Sequence, residues 1–274
     1  MPGSELYEKF MALHARDGGL VMPNAWDGLS ALMLADAGFE AIATSSAAIA
    51  ATLGRLDGRH EVSREEHLEH ARLLGRLTGL PVNGDFEDGY GDTSADVAAT
   101  VEAAAESGLA GIGIEDTSGD PDQPIRDFDE AVSRVRKAVD AAKGRIVVTG
   151  RTDNFIQGRP DLDDTIRRLT AFADVGADVV YAPFPPSLDA LAAIVTAVAP
   201  TPVNVLVSPA DKVLTVAELQ NAGVKRISLG PLLYTHAMEA AEQATRALLA
   251  GDLASATSGM SFTRVNELLA RGKN

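Results

Sequence analysis

Residues 105–115 read AESGLAGIGIE, which is an alanine-rich helix end, a glycine and then a short run of apolar residues. Glycine is favoured just past the last turn of a helix, because the chain enters the left-handed region of backbone space there. This stretch therefore predicts a helix that passes directly into a β-strand.

The same order of helix end, glycine and strand occurs three more times. It is found at 35–38 (ADAG) before EAIATS, at 173–176 (ADVG) before DVVYAP and at 220–223 (QNAG) before KRISLG. With the other apolar runs, the pattern predicts strands near residues 20–24, 41–45, 81–86, 110–115, 146–151, 178–182, 202–206 and 226–229. Helix-length amphipathic segments lie between them, and capping boxes open three of these at Ser63, Thr93 and Thr215.

Strands that alternate with helices imply parallel pairing, and eight such units close a (β/α)8 barrel, the TIM barrel of the α/β class. An open doubly wound sheet is the alternative, and no Gly-x-Gly-x-x-Gly follows the first strand to support it. We expect one domain over residues 1–274, with an extra N-terminal helix over about 4–16 and a helical tail over 251–274. The tail should pack on the barrel or on a neighbouring subunit, because it carries apolar residues at helical spacing, Phe262, Val265, Leu268 and Leu269.

The composition excludes several classes of protein. A net charge of −15, from 39 acidic and 24 basic residues, argues against a nucleic-acid partner. The absence of cysteine excludes disulfides, thiolate metal sites and Cys catalysis, and it fits a reducing compartment. No apolar run reaches the ~18 residues of a membrane span, and the charged N-terminal residues do not resemble an export signal. We therefore expect a cytoplasmic protein with no membrane partner.

Polar residues stand where several predicted strands end, which is where barrel enzymes carry their active sites. These residues are TSS at 44–46, DFEDGYG at 85–91, Glu115 and Asp116, RTD at 151–153, Tyr181 and Asn204.

Three of these residues, Asp85, Glu87 and Glu115, are carboxylates on adjacent predicted strands. Converging carboxylates repel one another unless a cation lies among them. Oxygen ligands without His or Cys favour Mg2+, or Mn2+, over Zn2+. Each acid taken alone is more simply a cap or a solvated turn residue, but a barrel has little structural use for the whole set. Arg151 fits both an ion pair with a nearby acid and an anchor for a carboxylate or phosphate.

The order of the motifs resembles a known family. The motifs are PNAWDGLSALMLADAGFEAIATSSAA from residue 23, LDG at 56–58, GDFEDGYG at 84–91, GIGIEDT at 111–117 and GRTD at 150–153. They are similar to those of the phosphoenolpyruvate mutase/isocitrate lyase superfamily over about residues 20–230. This resemblance implies a barrel that binds magnesium through carboxylates and makes or breaks a bond beta to the carboxylate of a 2-oxo or 2-hydroxy acid.

The resemblance and the strand-end positions assign roles to individual residues. Ser45 and Ser46 would hold a carboxylate or oxyanion, and Asp57 would lie over the reacting centre. The predicted catalytic residues are Asp57, Tyr90 and Arg151. The predicted substrate-binding residues are Trp26, Ser45, Ser46, Arg151 and Asn204. The predicted metal ligands, directly or through water, are Asp85, Glu87 and Glu115.

The chain departs from the family's pattern in two places. Glu87 replaces the second aspartate of the third-strand motif, which lengthens that side chain by one methylene. Residues 117–123 read TSGDPDQ, where isocitrate and methylisocitrate lyases carry Lys-Lys-Cys-Gly-His with a catalytic cysteine. A decarboxylase of an oxo-diacid needs neither the lysine nor the cysteine of that motif, since solvent can supply the proton. The glycine and prolines of this segment predict a mobile lid over 117–126.

The leading hypothesis is a magnesium-dependent lyase that cleaves a carbon–carbon bond of a small 2-oxo or 2-hydroxy acid through an enolate, like an oxaloacetate decarboxylase or a methylisocitrate lyase. The alternatives are a phosphonate mutase or hydrolase and a carboxylate-binding barrel without catalysis. The resemblance also implies a homodimer or homotetramer. His67 and His70 are interpreted as residues of an ordinary solvated helix.

Overall fold

The computed structural model describes residues 2–206 and 214–272. Its strands all fall within the stretches that the sequence predicts. They are β1 (Leu20–Met22), β2 (Ile42–Ala43), β3 (Val82–Asp85), β4 (Gly111–Glu115), β5 (Val147–Arg151), β6 (Val179–Tyr181), β7 (Val203–Val205) and β8 (Arg226–Ser228). All pairings are parallel, in the order β1-β8-β7-β6-β5-β4-β3-β2.

Backbone contacts between the first two strands close the sheet into a barrel. Asn24 and Ala43 form a parallel bridge. The amide of Ala25 donates to the carbonyl of Ala43 over 2.8 Å, and the amide of Ala43 donates to Pro23 over 2.9 Å. The (β/α)8 barrel prediction is therefore confirmed.

One helix precedes β1, helices separate each strand from the next, and another helix follows β8. They are α1 (Pro2–Ala15), α2 (Gly28–Asp36), α3 (Ser46–Thr52), α4 (Arg64–Thr78), α5 (Ser94–Glu106), α6 (Phe128–Ala142), α7 (Leu162–Asp174), α8 (Leu188–Val198), α9 (Val216–Asn221) and α10 (Leu232–Leu249). The predicted capping boxes form at the starts of α4, α5 and α9. Gly108, the glycine between α5 and β4, has a φ of 86°, as the turn from helix to strand requires.

The two ends of the barrel have different chemistry. Phe10 and Leu13 of α1 pack with Leu20, Val147 and Val179 in an apolar cluster at the amino ends of the strands. This helix therefore closes the amino end, and the polar residues lie at the carboxyl end.

The C-terminal part contains α11 (Leu253–Ala256) and α12 (Phe262–Arg271). The tail helix α12 packs against α2 of the same chain, and its Leu268 is fully buried. Phe262, at the start of α12, is 78% exposed. In α10, by contrast, none of the described residues is buried, so this helix projects from the barrel. No helix in the described part of the chain is long and apolar enough to cross a membrane.

Candidate active site

A polar cavity of about 220 Å³ opens at the carboxyl ends of the strands. It is lined by most of the residues that the sequence assigns to the site, namely Ser45, Ser46, Asp57, Asp85, Arg151 and Asn204. A wider cleft of about 810 Å³ adjoins it and extends under the segment after β4, with Glu87 and Glu115 in its wall. The two spaces share four lining residues, Ser46, Asp57, Arg151 and Ile156.

Arg151, the last residue of β5, is the cation at the centre of the site. Its Nη1 lies 2.6 Å from Oε1 of Glu115 and 3.7 Å from Oδ1 of Asp85. The guanidinium also lies over the ring of Tyr181, 5.2 Å from the ring centroid. Burial alone would lower the pKa of Arg151, but the charges of Asp153 and Glu115 outweigh burial and raise it. Arg151 therefore keeps its positive charge at any physiological pH.

Asp153 fixes the orientation of Arg151. Its two carboxylate oxygens accept from Nε of Arg151 over 2.6 Å and from Nη2 over 3.0 Å, which is a bidentate pair. The backbone amide of Asp153 donates to Asp116 over 2.9 Å, and Arg168 donates to the other oxygen of Asp116 over 3.2 Å. Asp116 and Arg168 are both buried. The sequence places Asp116 and Asp153 at strand ends, but the supporting role of Arg168 could not be read from it.

Ser46 and Asp85 contact each other directly. Both the amide and the hydroxyl of Ser46 donate to Oδ2 of Asp85, over 3.0 Å and 3.1 Å. Ser45 caps α3, because its hydroxyl accepts from the amide of Ala48 over 3.3 Å. The two predicted oxyanion-binding serines therefore line the cavity with their polar groups engaged by neighbouring protein atoms.

Asp57 lies on the exposed loop after α3, at the mouth of the cavity. The surrounding atoms partly desolvate its carboxyl group, and this desolvation, with repulsion from Asp85, raises its pKa. The nearby Ser46 side chain and the charge of Arg151 oppose the shift. An acid with a raised pKa can hold and release a proton closer to neutral pH than ordinary aspartate.

Glu87 turns away from Arg151 toward a cluster of aromatic and imidazole rings. The residue is 5% exposed, and its backbone φ is 51°. Its carboxylate lies 3.8 Å from Nε2 of His60 and 4.0 Å from Nε2 of His67. Burial and the charge of Asp57 raise the pKa of Glu87 to about 7. His67 is 1% exposed, so its interpretation as a solvated helix residue was wrong. The reason is that α4 places its side chain against the loop after β3.

The hydroxyl of Tyr90 lies in the same cluster and donates to the carbonyl of Val62 over 2.8 Å. It is 3.4 Å from Oε1 of Glu87. Burial, with the charge of Glu87, raises the pKa of Tyr90. Its phenol therefore stays protonated and links the loop after β3 to the loop before α4.

The remaining predicted pocket residues lie in two different places. Asn204 points into the polar cavity, where its Nδ2 donates to the hydroxyl of Ser228 over 2.9 Å. Trp26 instead lines a separate apolar pocket beside α3 and α4. Its ring packs edge-on against Tyr234, with centroids 5.7 Å apart.

The carboxylates of the site outnumber its cations. Burial, with repulsion from Asp153, Asp85 and Asp57, raises the pKa of Glu115 well above its usual range. Among the described residues, no three Asp, Glu or His side chains converge as closely as direct ligands of one ion do. Asp85 and Glu115 both face Arg151, whereas Glu87 faces the histidines. This excess of hard oxygen donors fits a divalent cation held partly through water.

A buried arginine at the bottom of the cavity had no signal in the sequence analysis. Arg226, on β8, is 2% exposed and lines the cavity. The sequence KRISLG marks it only as part of a strand, and alternation along a strand of three residues does not say which face is the interior.

The fold and the site together define a (β/α)8 barrel with an acidic, arginine-containing cavity where barrel enzymes carry their active sites. The model of the phosphoenolpyruvate phosphomutase family matches residues 10–249. The chain therefore belongs to this family, within the phosphoenolpyruvate mutase/isocitrate lyase superfamily.

Two curated relatives show the range of this similarity. An uncharacterized protein of Mycobacterium tuberculosis H37Rv is 34% identical over 245 residues, covering 89% of this chain and 90% of the relative. The 2-methylisocitrate lyase of Bacillus subtilis is 31% identical over 186 residues, covering 65% of this chain and 59% of the lyase.

Solved structures give the same picture. A candidate lyase/mutase of Burkholderia cenocepacia J2315 is 40% identical with a TM-score of 0.92, covering 98% of this chain and 97% of that one. A structure of oxaloacetate acetylhydrolase with its product oxalate is 27% identical with a TM-score of 0.86, covering 97% and 94%. The named members of the family are thus enzymes, both lyases and a phosphomutase.

Proposed function

We propose that this protein is a magnesium-dependent lyase that cleaves a carbon–carbon bond of a small 2-oxo or 2-hydroxy acid and forms an enolate. The observation that carries the proposal is the rigid Arg151, which Asp153 holds in a bidentate pair at a cavity crowded with carboxylates. Relatives named as a lyase and an acetylhydrolase support the same reaction class.

Arg151 supplies the fixed positive charge that this reaction needs. Cleavage beside a carbonyl leaves negative charge on the carbonyl oxygen, and a preorganised cation in a buried site stabilises that charge. Asp153 holds the guanidinium, and Asp116 accepts from the backbone amide of Asp153, so little reorganisation is needed when the charge develops.

Asp57, which borders both the polar cavity and the wider cleft, is the proposed proton carrier. Its raised pKa lets it return a proton to the enolate or exchange one with solvent. Tyr90, whose hydroxyl is bound to Val62, instead positions the loop that carries Glu87. With Asp57 as the proton carrier, the reaction does not need the cysteine that the chain lacks.

The metal would be held by Asp85 and Glu115, with Glu87 contributing through water. When bound, magnesium adds positive charge beside the developing enolate and orients a small carboxylate substrate. Asp85 is already fixed by two hydrogen bonds from Ser46 and therefore presents its other oxygen, Oδ1, toward Arg151.

A substrate panel tests the proposal. Purified protein is incubated with oxaloacetate, malate derivatives, methylisocitrate or phosphonopyruvate, with Mg2+ or with EDTA, and products are followed by NMR. We expect pyruvate with carbon dioxide, or another pair of carbon–carbon cleavage products, only with Mg2+. Asp85→Asn should weaken Mg2+ binding by about tenfold or more in calorimetry, whereas Asp163→Asn, an exposed change on α7, should not.

Other outcomes on the same panel favour the alternatives. Turnover of phosphonopyruvate alone would indicate a phosphonate enzyme. Tight oxalate binding without any turnover would indicate a carboxylate-binding barrel. Unchanged Mg2+ binding by Asp85→Asn would contradict the proposed metal site.

A further inference from the structure

Asp88, in the loop after β3, is a buried carboxylate to which the proposed function gives no role. Its Oδ1 accepts from Nε2 of His60 over 2.9 Å and from the backbone amide of Tyr90 over 3.0 Å. Its Oδ2 accepts from Nη2 of Arg126 over 2.7 Å and from Nη2 of Arg134 over 3.3 Å. Each carboxylate oxygen therefore accepts two hydrogen bonds, and the donors come from separate parts of the chain.

The Oδ1 side of Asp88 restrains the loop over residues 53–63, which we call the Asp57 loop. Residues 57–60 form a turn in this loop, and His60, at its end, has a φ of 50°. A residue other than glycine keeps such a left-handed backbone only where its surroundings hold it. The imidazole supplies these contacts, because it donates to Asp88 and packs on the ring of Tyr90, with centroids 4.7 Å apart.

The Oδ2 side of Asp88 holds the base of the segment over residues 117–126, which we call the lid segment. Arg126 is its last residue, and the amide of Arg126 donates to the carbonyl of Asp116 over 2.8 Å. Arg134, on α6, also donates to the backbone carbonyl of Asp88 over 2.9 Å. The barrel thus anchors Asp88 from one side, and Arg126 connects it to the lid segment.

The two loops that meet at Asp88 face the same cleft. The Asp57 loop lines the wider cleft with residues 57–60, and the lid segment lines it with residues 117–121. In the described part of the chain, no hydrogen bond joins the two loops directly. The carboxylate of Asp88 is the group that both of them contact.

Charge balance alone does not explain the contact between Asp88 and His60. Arg134 supplies a counter-charge for Asp88, and Arg126 has a second carboxylate partner in Glu130, 2.5 Å away. The side chain of His60 is 44% exposed, so water could satisfy its nitrogen instead. The bond from His60 to Asp88 therefore acts mainly as a restraint on the loop, and restraint is what the placement of a reacting group requires.

We propose that Asp88 is a positioning residue that couples the Asp57 loop to the lid segment. While Arg126 holds the carboxylate, Oδ1 stays where it meets His60, and the turn keeps Asp57 beside the cavity. When the lid segment opens, the carboxylate is released and the turn can move as well. This inference rests on the proposed function, and it adds that the proton carrier and the lid move as one unit.

Hydrogen exchange followed by mass spectrometry tests the coupling without any substrate. In Arg126→Ala, we expect the amides of the Asp57 loop to exchange severalfold faster, although Arg126 makes no hydrogen bond to that loop among the described residues. In His60→Phe, which keeps a ring beside Tyr90 but removes the donor, we expect the same acceleration in the lid segment.

Arg55→Ala and Ser118→Ala are the matched controls, because each loosens one loop without touching Asp88. Arg55 donates to the carbonyl of Glu61 in its own loop over 3.1 Å, and Ser118 donates to the carbonyl of Gln123 in the lid segment. Each control should speed exchange only in its own loop. If Arg126→Ala and His60→Phe behave in the same local way, the proposed coupling is wrong.

Steady-state kinetics on the substrate found in the panel test the positioning role. Asp88→Asn keeps the shape of the side chain but removes its charge and one acceptor. We expect kcat to fall about 10- to 100-fold through the displacement of Asp57, with KM changed less than about twofold. The reason for this split is that the residues assigned to substrate binding, among them Ser46 and Arg151, do not contact Asp88. A lower thermal midpoint with unchanged kcat would show a purely structural acid and overturn the proposal.

The double variant His60→Phe/Arg126→Ala measures whether both residues act through the same carboxylate. Its loss of kcat should be smaller than the product of the two single losses, since either change already breaks the connection. Losses that multiply would contradict the coupling. Should Asp88→Asn fail to fold, because two arginines lose their counter-charge, His60→Phe gives the same kinetic test at a half-exposed residue.

Failure of the coupling and failure of the proposed function give different results. Turnover on the panel together with loops that exchange independently would overturn the role of Asp88 and leave the proposed lyase standing. Coupled exchange without turnover of any substrate would overturn the proposed function, and with it the role of Asp88 in placing a proton carrier.

Discussion

Arg151 and Asp153 form a charged pair within a single strand end, two residues apart. The carboxylate matches the guanidinium fork in a bidentate geometry, which restricts the arginine more than a single contact would. The local sequence RTD therefore supplies both a cation and the group that aims it. Glu115 and Asp85 then meet the guanidinium from neighbouring strands.

Replacing Asp153 tests how much this orientation matters. Asp153→Asn keeps the size of the side chain but removes its charge and one acceptor. We expect kcat to fall about 100-fold, because small displacements of a catalytic group are costly, with a smaller change in KM. Steady-state kinetics on the substrate found in the panel measure this effect. Asp163→Asn is the control, and a matching loss in that variant would argue against a specific role for Asp153.

His14 gives the molecule a pH-dependent stability. Its pKa is about 3 in the folded protein and about 6.5 when unfolded, so the unfolded chain takes up the proton first as the pH falls. The contribution is complete above pH 6.5 and decreases below it, by up to about 1.4 kcal/mol for each pH unit. Between pH 7 and pH 5, the unfolding free energy should therefore fall by about 2 kcal/mol more in wild type than in His14→Gln.

Urea unfolding at several pH values measures this difference. The exposed His236→Gln is the matched control and should keep the wild-type pH dependence. Parallel pH profiles for wild type and His14→Gln would contradict the predicted role of the buried imidazole.

At the scale of elements, the segment after β4 is folded back on itself and tied to the barrel. Thr117 and Ile125 form an antiparallel bridge, and Ser118 donates to the carbonyl of Gln123. Arg126 ends the segment with a 2.7 Å hydrogen bond to Asp88, which also contacts Arg134 and His60. The base of the predicted lid is therefore fixed, and residues of the segment line the wider cleft.

Limited proteolysis tests whether this segment closes over a ligand. We expect cleavage within 117–126 to slow severalfold when Mg2+ and oxalate are added, because bound segments resist local opening. Arg126→Ala should speed cleavage in the free protein, and Arg136→Ala, an exposed change on α6, should not. Equal cleavage with and without ligand would count against a lid.

At the scale of the whole molecule, α10 is a long helix in which none of the described residues is buried. Met238, Leu248 and Leu249 on this helix are 43%, 55% and 90% exposed. A contiguous exposed apolar surface is typical of a contact with another molecule. We propose that α10 packs against a second copy of the chain, in a homodimer or homotetramer.

Light scattering coupled to size-exclusion chromatography tests this assembly. Wild-type protein should elute as a dimer or tetramer, and Leu249→Glu should shift it toward monomer by burying a charge in the interface. Val216→Glu changes an equally apolar side chain, 42% exposed on α9, and should have no effect. A wild-type monomer at micromolar concentration would contradict the proposal.

Much of the fold and part of the site could be predicted from local patterns. Strand positions follow from apolar runs and from glycines such as Gly108, since both act within a few residues. The same local patterns predict that the acids at the ends of the third and fourth strands lie at the barrel mouth. The directions of Glu87 and Trp26 could not be predicted, because the left-handed backbone at Glu87 and the packing of Trp26 on Tyr234 depend on contacts across the fold.

The sequence by itself determined the eightfold alternation of helix and strand, the mouth at which the polar residues collect, and the lack of a cysteine acid. These properties follow from short stretches of sequence or from composition, so they can be predicted without knowing which distant residues are in contact. Only the tertiary structure decided that Arg226 and His14, 212 positions apart, meet inside the barrel. It likewise showed that His67 is buried and that α10 is not. Closure of the barrel brings such residues together, and the balance of charge and burial inside it is a property of the whole fold.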